Sequence, residues 1–292
     1  MKSFAIKEEK HMKKNVKLAI YGALIGDYFG CRWEFTDKKP ETKEEALKTN
    51  DYENWLTDDS VCTLAIAKAV LTFFKTGMPM QYCAKKCLLE VCRSHPSSYG
   101  GRFHRWLAEN GNTDTNSLGN GASMRVSPIG LYADTLGQAH IWAHDATVVS
   151  HSHPIAIVWA QIVAELVFLA KEGKFNIDDM KRYIEVYHPE EYKMISCLDL
   201  EDLHKNYPWH DEKSQTTVPQ AIYCFLSSDS FEDALFRSLY IGGDADTIAA
   251  ITCSIAAPYY GDEQVKPFLN RIPTAGDLEE IAVEFSENFL SE

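Results

Sequence analysis

The chain is built from apolar stretches that repeat with the period of a helix. Apolar residues recur three and four positions apart over residues 18–29, 61–74, 136–149, 155–171, 217–226, 231–240 and 248–260. Almost no segment shows the period-two alternation of a strand. Residues 80–94 add an amphipathic helix and residues 102–109 a short one. The tail after Gly261 gives a short helix, a turn at Pro273 and Thr274, and a final amphipathic helix. Two runs are apolar on nearly every face: between residues 61 and 74 the only charge is Lys68, and residues 248–260 carry none. Helices of that kind lie in the middle of a fold. Residues 36–56 read as a solvent loop, and residues 174–214 as a peripheral helix plus a long loop. No Pro/Ser-rich linker and no internal repeat divides the chain. The expected fold is all-α, one domain over residues 15–292 behind a polar extension at residues 1–14.

Both apolar runs open on paired carboxylates. Thr57-Asp58-Asp59-Ser60 precedes the first, and Gly242-Gly243-Asp244-Ala245-Asp246-Thr247 precedes the second. One such pair is ordinary capping, since Thr at the N-cap and Asp in the first turn satisfy free N–H groups and suit the helix dipole. Two copies at the mouths of two buried helices are a different matter. If those ends meet, four anions repel one another where unpaired carboxylates are costly. A divalent cation resolves the repulsion. The candidate ligands are all oxygens, which suits magnesium, manganese or calcium rather than zinc.

The first helix carries Gly22, Gly26 and Gly30 on one face. Glycine costs a helix roughly 1 kcal/mol relative to Ala, so three in a row imply close approach of another backbone or a ligand. Asp27, between them, is expected to bond a neighbouring helix end. Glu34 follows the helix in Arg32-Trp33-Glu34-Phe35, where an isolated Glu is ordinarily a surface residue.

Composition narrows the function. The formal charge is −13, with 42 acidic and 29 basic residues. That argues against general nucleic-acid binding, which needs a basic stripe. It leaves room for a small anion in one pocket. None of the eight cysteines forms a C-x-x-C pair, and several sit in apolar runs, so reduced buried thiols are expected rather than zinc or disulfides. The Lys-rich N-terminus lacks a signal-peptide apolar stretch. No run of about 18 apolar residues is read as a membrane span. A cytoplasmic protein without a membrane partner is expected.

Other motifs bear on a ligand. Residues 110–120 form a Gly/Asn/Ser loop that ends in Gly119-Asn120-Gly121-Ala122-Ser123-Met124-Arg125 and feeds a helix, an arrangement that offers free N–H groups to an anion. Arg125 would pair with a buried carboxylate or a ligand. His151-Ser152-His153-Pro154 precedes a helix, so its histidines are caps or ligand contacts. His144-Asp145 and His210-Asp211 raise the alternative of an HD-type metal phosphohydrolase, which would need His144 or His210 at the metal.

Taken together, the chain resembles the ADP-ribosylglycohydrolases. The resemblance runs from about Val16 to the last helix. It is carried in order by Gly22-Ala23-Leu24-Ile25-Gly26-Asp27, Thr57-Asp58-Asp59-Ser60, the 119–125 block, His151-Ser152-His153-Pro154 and the 242–247 block. It implies an orthogonal helical bundle with a central site for two Mg²⁺ ions, Mn²⁺ or Ca²⁺ being possible substitutes. It also implies hydrolysis of the bond between ADP-ribose and an acceptor, with ADP-ribose as product. The acceptor is a protein side chain such as arginine or serine, or another ADP-ribosylated molecule. Residue by residue, the family pattern puts Thr57, Asp58 and Asp59 on one metal, Asp244 and Thr247 on the other, and Asp246 on both. It matches Ser117, Gly119, Asn120, Gly121 and Ala122 to the diphosphate loop and His151 to a ligand contact. Glu34 matches a catalytic glutamate, which with Asp58, Asp59 and Asp246 makes the expected catalytic set. Ala245 and Ser150 stand where Thr is common, and residues 188–215 match nothing in the family and are where acceptor specificity would be shaped. The alternative within the family is a non-catalytic ADP-ribose-binding or structural member. A monomer is expected.

Overall fold

The computed structural model describes residues 16–49, 55–113, 115–273, 276 and 278–288. The extension at residues 1–14 and Thr274 of the expected turn lie outside them. The two apolar runs that open on carboxylates are helices α3 (Asp58–Thr76) and α14 (Ala245–Tyr260). Against α14 lies α1 (Val16–Gly30), with the most intimate packing of the fold. The glycine face explains it. A Cβ added at Gly22 or Gly26 would stand 2.2 Å from the carbonyl oxygen of Cys253 or Ala249, and at Gly30 it would stand 2.3 Å from Cα of Asp246. The two backbones touch, as the spacing of the three glycines predicts.

Around this pair the described residues are helical, with no named strand. After α1 come a short α2 (Lys43–Ala46), then α3, α4 (Met80–Ser94) and α5 (Gly101–Ala108). A 3₁₀ turn at Asn120–Ala122 leads to α6 (Ser127–Tyr132), α7 (Leu136–Val148) and α8 (Pro154–Glu172). Helices α9 (Ile177–Tyr187), α10 (Pro189–Ser196), α11 (Leu200–Asn206), α12 (Ser214–Leu226) and α13 (Phe231–Ile241) precede α14. The chain closes with α15 (Asp262–Leu269) and α16 (Leu278–Asn288). Local chemistry sets many of the ends. Thr57 caps α3 through its side chain, and Gly77 stops it at φ +67°. His153 caps α8, Pro154 occupies its first turn, and Gly173 ends it at φ +62°.

Three expectations need correction. Residues 174–214 hold three helices, not one. Their amphipathic faces are short and interrupted by Pro189, which obscures the period. They are tied to the core by Glu165, buried on α8, whose carboxylate meets His140 Nδ1 on α7 at 2.6 Å and His188 Nε2 at 2.7 Å. Residues 36–56, expected to be loop, contain α2, capped by Thr42. Helix α8 does have the length and hydropathy of a membrane span, contrary to the expectation. In the fold 78% of that apolar stretch is covered, by α6, α7, α12 and α14 among others. The eight cysteines are free thiols, seven of them buried, as their positions in apolar runs imply.

Candidate active site

The N-terminal ends of α3 and α14 meet. Thr247 donates its hydroxyl proton to Asp59 Oδ2 at 3.0 Å, joining two motifs 188 residues apart. Asp27, on the glycine face of α1, holds the mouth of α3. Its Oδ2 accepts from the N–H groups of Thr57 (2.8 Å) and Ser60 (3.1 Å) and from the Ser60 hydroxyl, while Oδ1 accepts from the Thr57 hydroxyl at 2.8 Å. The expected helix-end role of Asp27 is therefore what the geometry gives.

The structure also brings Glu34 in. The chain leaves α1 at Gly30, and Phe35 takes a left-handed φ of +48°, an unusual conformation for a bulky residue. Phe35 N–H donates to the Gly243 carbonyl at 2.8 Å. This pins the turn against the Gly242–Gly243 bend, and Glu34, Asp244 and Asp246 each offer an oxygen within 4.8 Å of the others. Glu34 is not the surface residue that its isolation in sequence implies.

Six carboxyls thus share one neighbourhood, and among the described residues none of them makes an ion pair. Each is shifted up, first by burial. Asp27 is pushed up to about 6, with the hydrogen bonds from Ser60 and Thr57 opposing. Glu34 reaches about 7 through burial and the Asp244 charge, and Asp58 about 7 through burial and Asp27. Asp244 rises to about 6 despite a 2.6 Å bond donated to its Oδ2 by Asn120 Nδ2. Asp59 and Asp246 are held well above the usual carboxylate range by burial and by their acidic neighbours. Asp59 Oδ1 is buried with no hydrogen-bond partner. An orphaned carboxylate oxygen in a dry nest of carboxylates, all donors being oxygen, fits a hard divalent cation.

The cluster opens into a cavity of about 530 Å³, within the range of small-molecule sites. Its lining includes Glu34, Asp58, Asp59, Asp244 and Thr247, the loop residues Ser117, Gly119, Asn120 and Gly121, and Arg125 and His151. Thr57, Ala122 and Asp246 are buried but do not line it. The Thr57 hydroxyl already bonds Asp27 and the Asp59 N–H. The Asn120 side chain is turned to Asp244, so this loop residue positions an acid as well as forming the loop.

One detail of the loop differs from expectation, and one alternative for Arg125 falls away. It feeds a three-residue 3₁₀ turn rather than a full helix, so single backbone N–H groups, not a helix dipole, are what it offers an anion, and those of Gly119 and Asn120 are already bonded to Ser117 Oγ and the Glu212 carbonyl. Arg125 lies after that turn, and no carboxylate of the described residues pairs with it. It is 2% exposed, donates to the Ser150 hydroxyl at 2.6 Å and lies over the Phe103 ring. Ser150 Oγ in turn contacts His151 Nδ1 at 2.9 Å. Burial and the Arg125 charge push His151 well below its usual value, and its Nε2 lies under the loop, 3.2 Å from where a Cβ on Gly121 would be. His153 is a helix cap only.

The histidines of the two His-Asp pairs part company. His144 sits at the surface on Asp145, away from the cavity. His210 lines the cavity, but the metal-type cluster of described residues contains no histidine. Sequence reasoning gave the segment around it acceptor specificity and the HD-type alternative, and placed no residue of it at the ADP-ribose site. Asn120 N–H donates to the Glu212 carbonyl at 2.9 Å and Ser214 N–H to the Leu118 carbonyl at 2.9 Å, which laces the segment to the loop. The one visible signal was the dense Trp209-His210-Asp211-Glu212-Lys213 run just before a helix.

The chain is similar to known proteins over nearly its whole length. The model of the family described as ADP-ribosylglycohydrolase matches residues 8–291. The ADP-ribosylarginine hydrolase Tri1 of Pseudomonas putida is 22% identical, over 92% of this chain and 76% of that protein. The ADP-ribosylhydrolase ARH3 of Mus musculus is 27% identical, over 84% of this chain and 83% of its own. A solved structure described as an ADP-ribosylglycohydrolase-related protein complex superposes with a TM-score of 0.75 at 20% identity, covering 95% of this chain and 99% of that one. At that identity it establishes the all-α fold.

Proposed function

The chain belongs to the ADP-ribosylglycohydrolase family, and from that premise we propose that it hydrolyses the bond joining ADP-ribose to an acceptor, with magnesium at the acidic cluster. The observation that carries the reading is the polarity of one cavity. It combines a carboxylate nest whose Asp59 Oδ1 has no partner with a buried Arg125 that no described carboxylate neutralises. Such a cavity suits a ligand that bridges a cation and an anionic group, as a ribose diphosphate does.

Thr57, Asp58 and Asp59 would hold one Mg²⁺, Asp244 and Thr247 a second, and Asp246 both; Mn²⁺ or Ca²⁺ could substitute. A bound divalent cation supplies charge that offsets these carboxylates, orients hydroxyls and acidifies water. The residues do the rest. Of the 117–122 loop, the Gly121 and Ala122 N–H groups donate to the diphosphate, those of Gly119 and Asn120 being bonded to Ser117 Oγ and the Glu212 carbonyl, and Arg125 supplies its counter-charge. His151, kept neutral by burial and Arg125, sits beneath that loop and supports its backbone. Asn120 fixes Asp244. Glu34, gathered with Asp244 and Asp246, is placed to take a proton from the attacking water. The acceptor is a protein side chain such as arginine or serine, or a small molecule.

Calorimetric titration of free ADP-ribose tests the reading of the cavity. Saturable binding in millimolar Mg²⁺, weakened by chelation and by Arg125→Gln, is expected. No binding under either condition would contradict it.

A further inference from the structure

Displacing an acceptor from the anomeric carbon needs protons handled at two places. The attacking water loses one, and the departing atom gains one, on the far side of the carbon when displacement is direct. The acids of this site are gathered in one place, with Glu34, Asp244 and Asp246 within 4.8 Å. On the hydrolase reading Glu34 serves the water and the two aspartates the metal. The proton for the acceptor then falls to another group on the same cavity wall, which carries His210, Asp211, Glu212 and Lys213 together. His151 is committed to the loop, and the Asp211 carboxylate accepts from the Lys213 N–H at 3.1 Å. The Arg102 guanidinium donates to the carbonyls of Thr115 and Asn116.

His210 is differently placed. Its ring stacks on Phe35 at 4.5 Å and 25°, and Trp209 meets it edge-on at 5.5 Å. Phe35 follows Glu34 directly, so the stack fixes the imidazole relative to the proposed base. The left-handed turn that presents Glu34 presents the Phe35 ring as well. Strained backbone of this kind persists where the surroundings enforce it, often at functional sites. Glu212 Oε1 lies 3.7 Å from His210 Nε2, an acidic neighbour within ion-pair reach. Among the described residues His210 makes no hydrogen bond, so its ring is held by stacking, with Nε2 facing Glu212 and Nδ1 left for a ligand.

We propose that His210 donates the proton to the departing acceptor atom, an inference that rests on the hydrolase reading. The bond from the anomeric carbon to the acceptor heteroatom breaks, and its electron pair leaves with the heteroatom, which takes the proton from His210. The water oxygen bonds to the carbon and its proton goes to Glu34. One water is consumed, ADP-ribose and the protonated acceptor leave, and solvent exchange returns the proton from Glu34 to His210.

The test uses leaving groups of different need. The wild type, His210→Gln and His210→Phe, which keeps the stack on Phe35, are compared on two substrates. One is an arginine- or serine-linked ADP-ribosyl peptide, whichever the wild type cleaves. The other is a nitrophenyl glycoside of ADP-ribose, which departs without protonation. Peptide turnover should fall by roughly 10²–10⁴-fold, with KM little changed and the alkaline limb of the pH–rate profile lost. Nitrophenyl turnover should stay within about twofold of wild type, inside the small effects of surface substitutions. Equal losses on both substrates, no loss on the peptide, or a variant that retains the alkaline limb would overturn the proposal and leave the hydrolase reading standing. A wild type that cleaves neither substrate would remove both.

Discussion

A Cβ at Gly30 would stand 2.3 Å from Cα of Asp246. The first helix therefore ends against the backbone that carries a central acid of the site, and the glycine face of α1 seats α14 and its carboxylates. Gly30→Ala should push the two apart, costing about 1–3 kcal/mol of stability as overpacking does, and should abolish stabilisation by Mg²⁺. Gly137→Ala, whose new Cβ would meet only the Thr135 hydroxyl at 4.0 Å, should do neither. Thermal melts of both variants with and without metal check this.

The raised carboxyls fix the sign of the pH response. Folded values of about 6 for Asp27 and Asp244, and about 7 for Glu34 and Asp58, lie above the ordinary carboxylate range near 4. Between those limits the folded protein keeps protons that the unfolded chain has released. The stability they contribute is fully present below about pH 4 and is lost as pH rises through about 6–7. In chelator the melting temperature should fall from pH 5 to pH 8, and millimolar Mg²⁺ should suppress the fall. A metal-free melting temperature that rises over this range contradicts the assignment.

Asp246 is raised by burial and then by Asp59, Asp244, Glu34 and Asp27. Asp246→Asn should raise the melting temperature of the metal-free protein while abolishing turnover. Asp262→Asn, in the first turn of α15, should change neither. Wild-type turnover in the Asp246 variant would remove it from the proposed ligands.

Glu34→Gln keeps size and one oxygen but cannot take a proton. Turnover should fall by roughly 10²–10⁴-fold, with ADP-ribose affinity little changed in a calorimetric titration. A change within about twofold, the range of surface substitutions, would return Glu34 to the surface reading.

Much of this was legible in the chain. The two apolar runs with paired carboxylates marked the buried helices and the meeting of their ends, because burial and repulsion are both written in residue type. The glycine spacing foretold a backbone contact and Asp27 a helix end. What could not be read depended on tertiary placement. Glu34 reaches the acids only because Phe35 turns left-handed against Gly243. The Asn120 side chain is claimed by Asp244 from 124 residues away. Two of the three helices between α8 and α12 were missed because their buried faces are narrow, with Ile195 the buried residue of α10 and Leu203 that of α11. His210 was visible only as half of a dipeptide, and its place on the cavity wall comes from the pairing of Gly119 with Lys213.

The central claim is metal-dependent hydrolysis. It is tested most directly by incubating the protein with arginine-linked and serine-linked ADP-ribosyl peptides, with Mg²⁺ or with chelator, and measuring free ADP-ribose over time. Release of ADP-ribose from at least one linkage in Mg²⁺, abolished by chelation, is the expected result. Saturable binding of ADP-ribose with no release from either peptide at any metal concentration would contradict the account and leave a binding protein in its place.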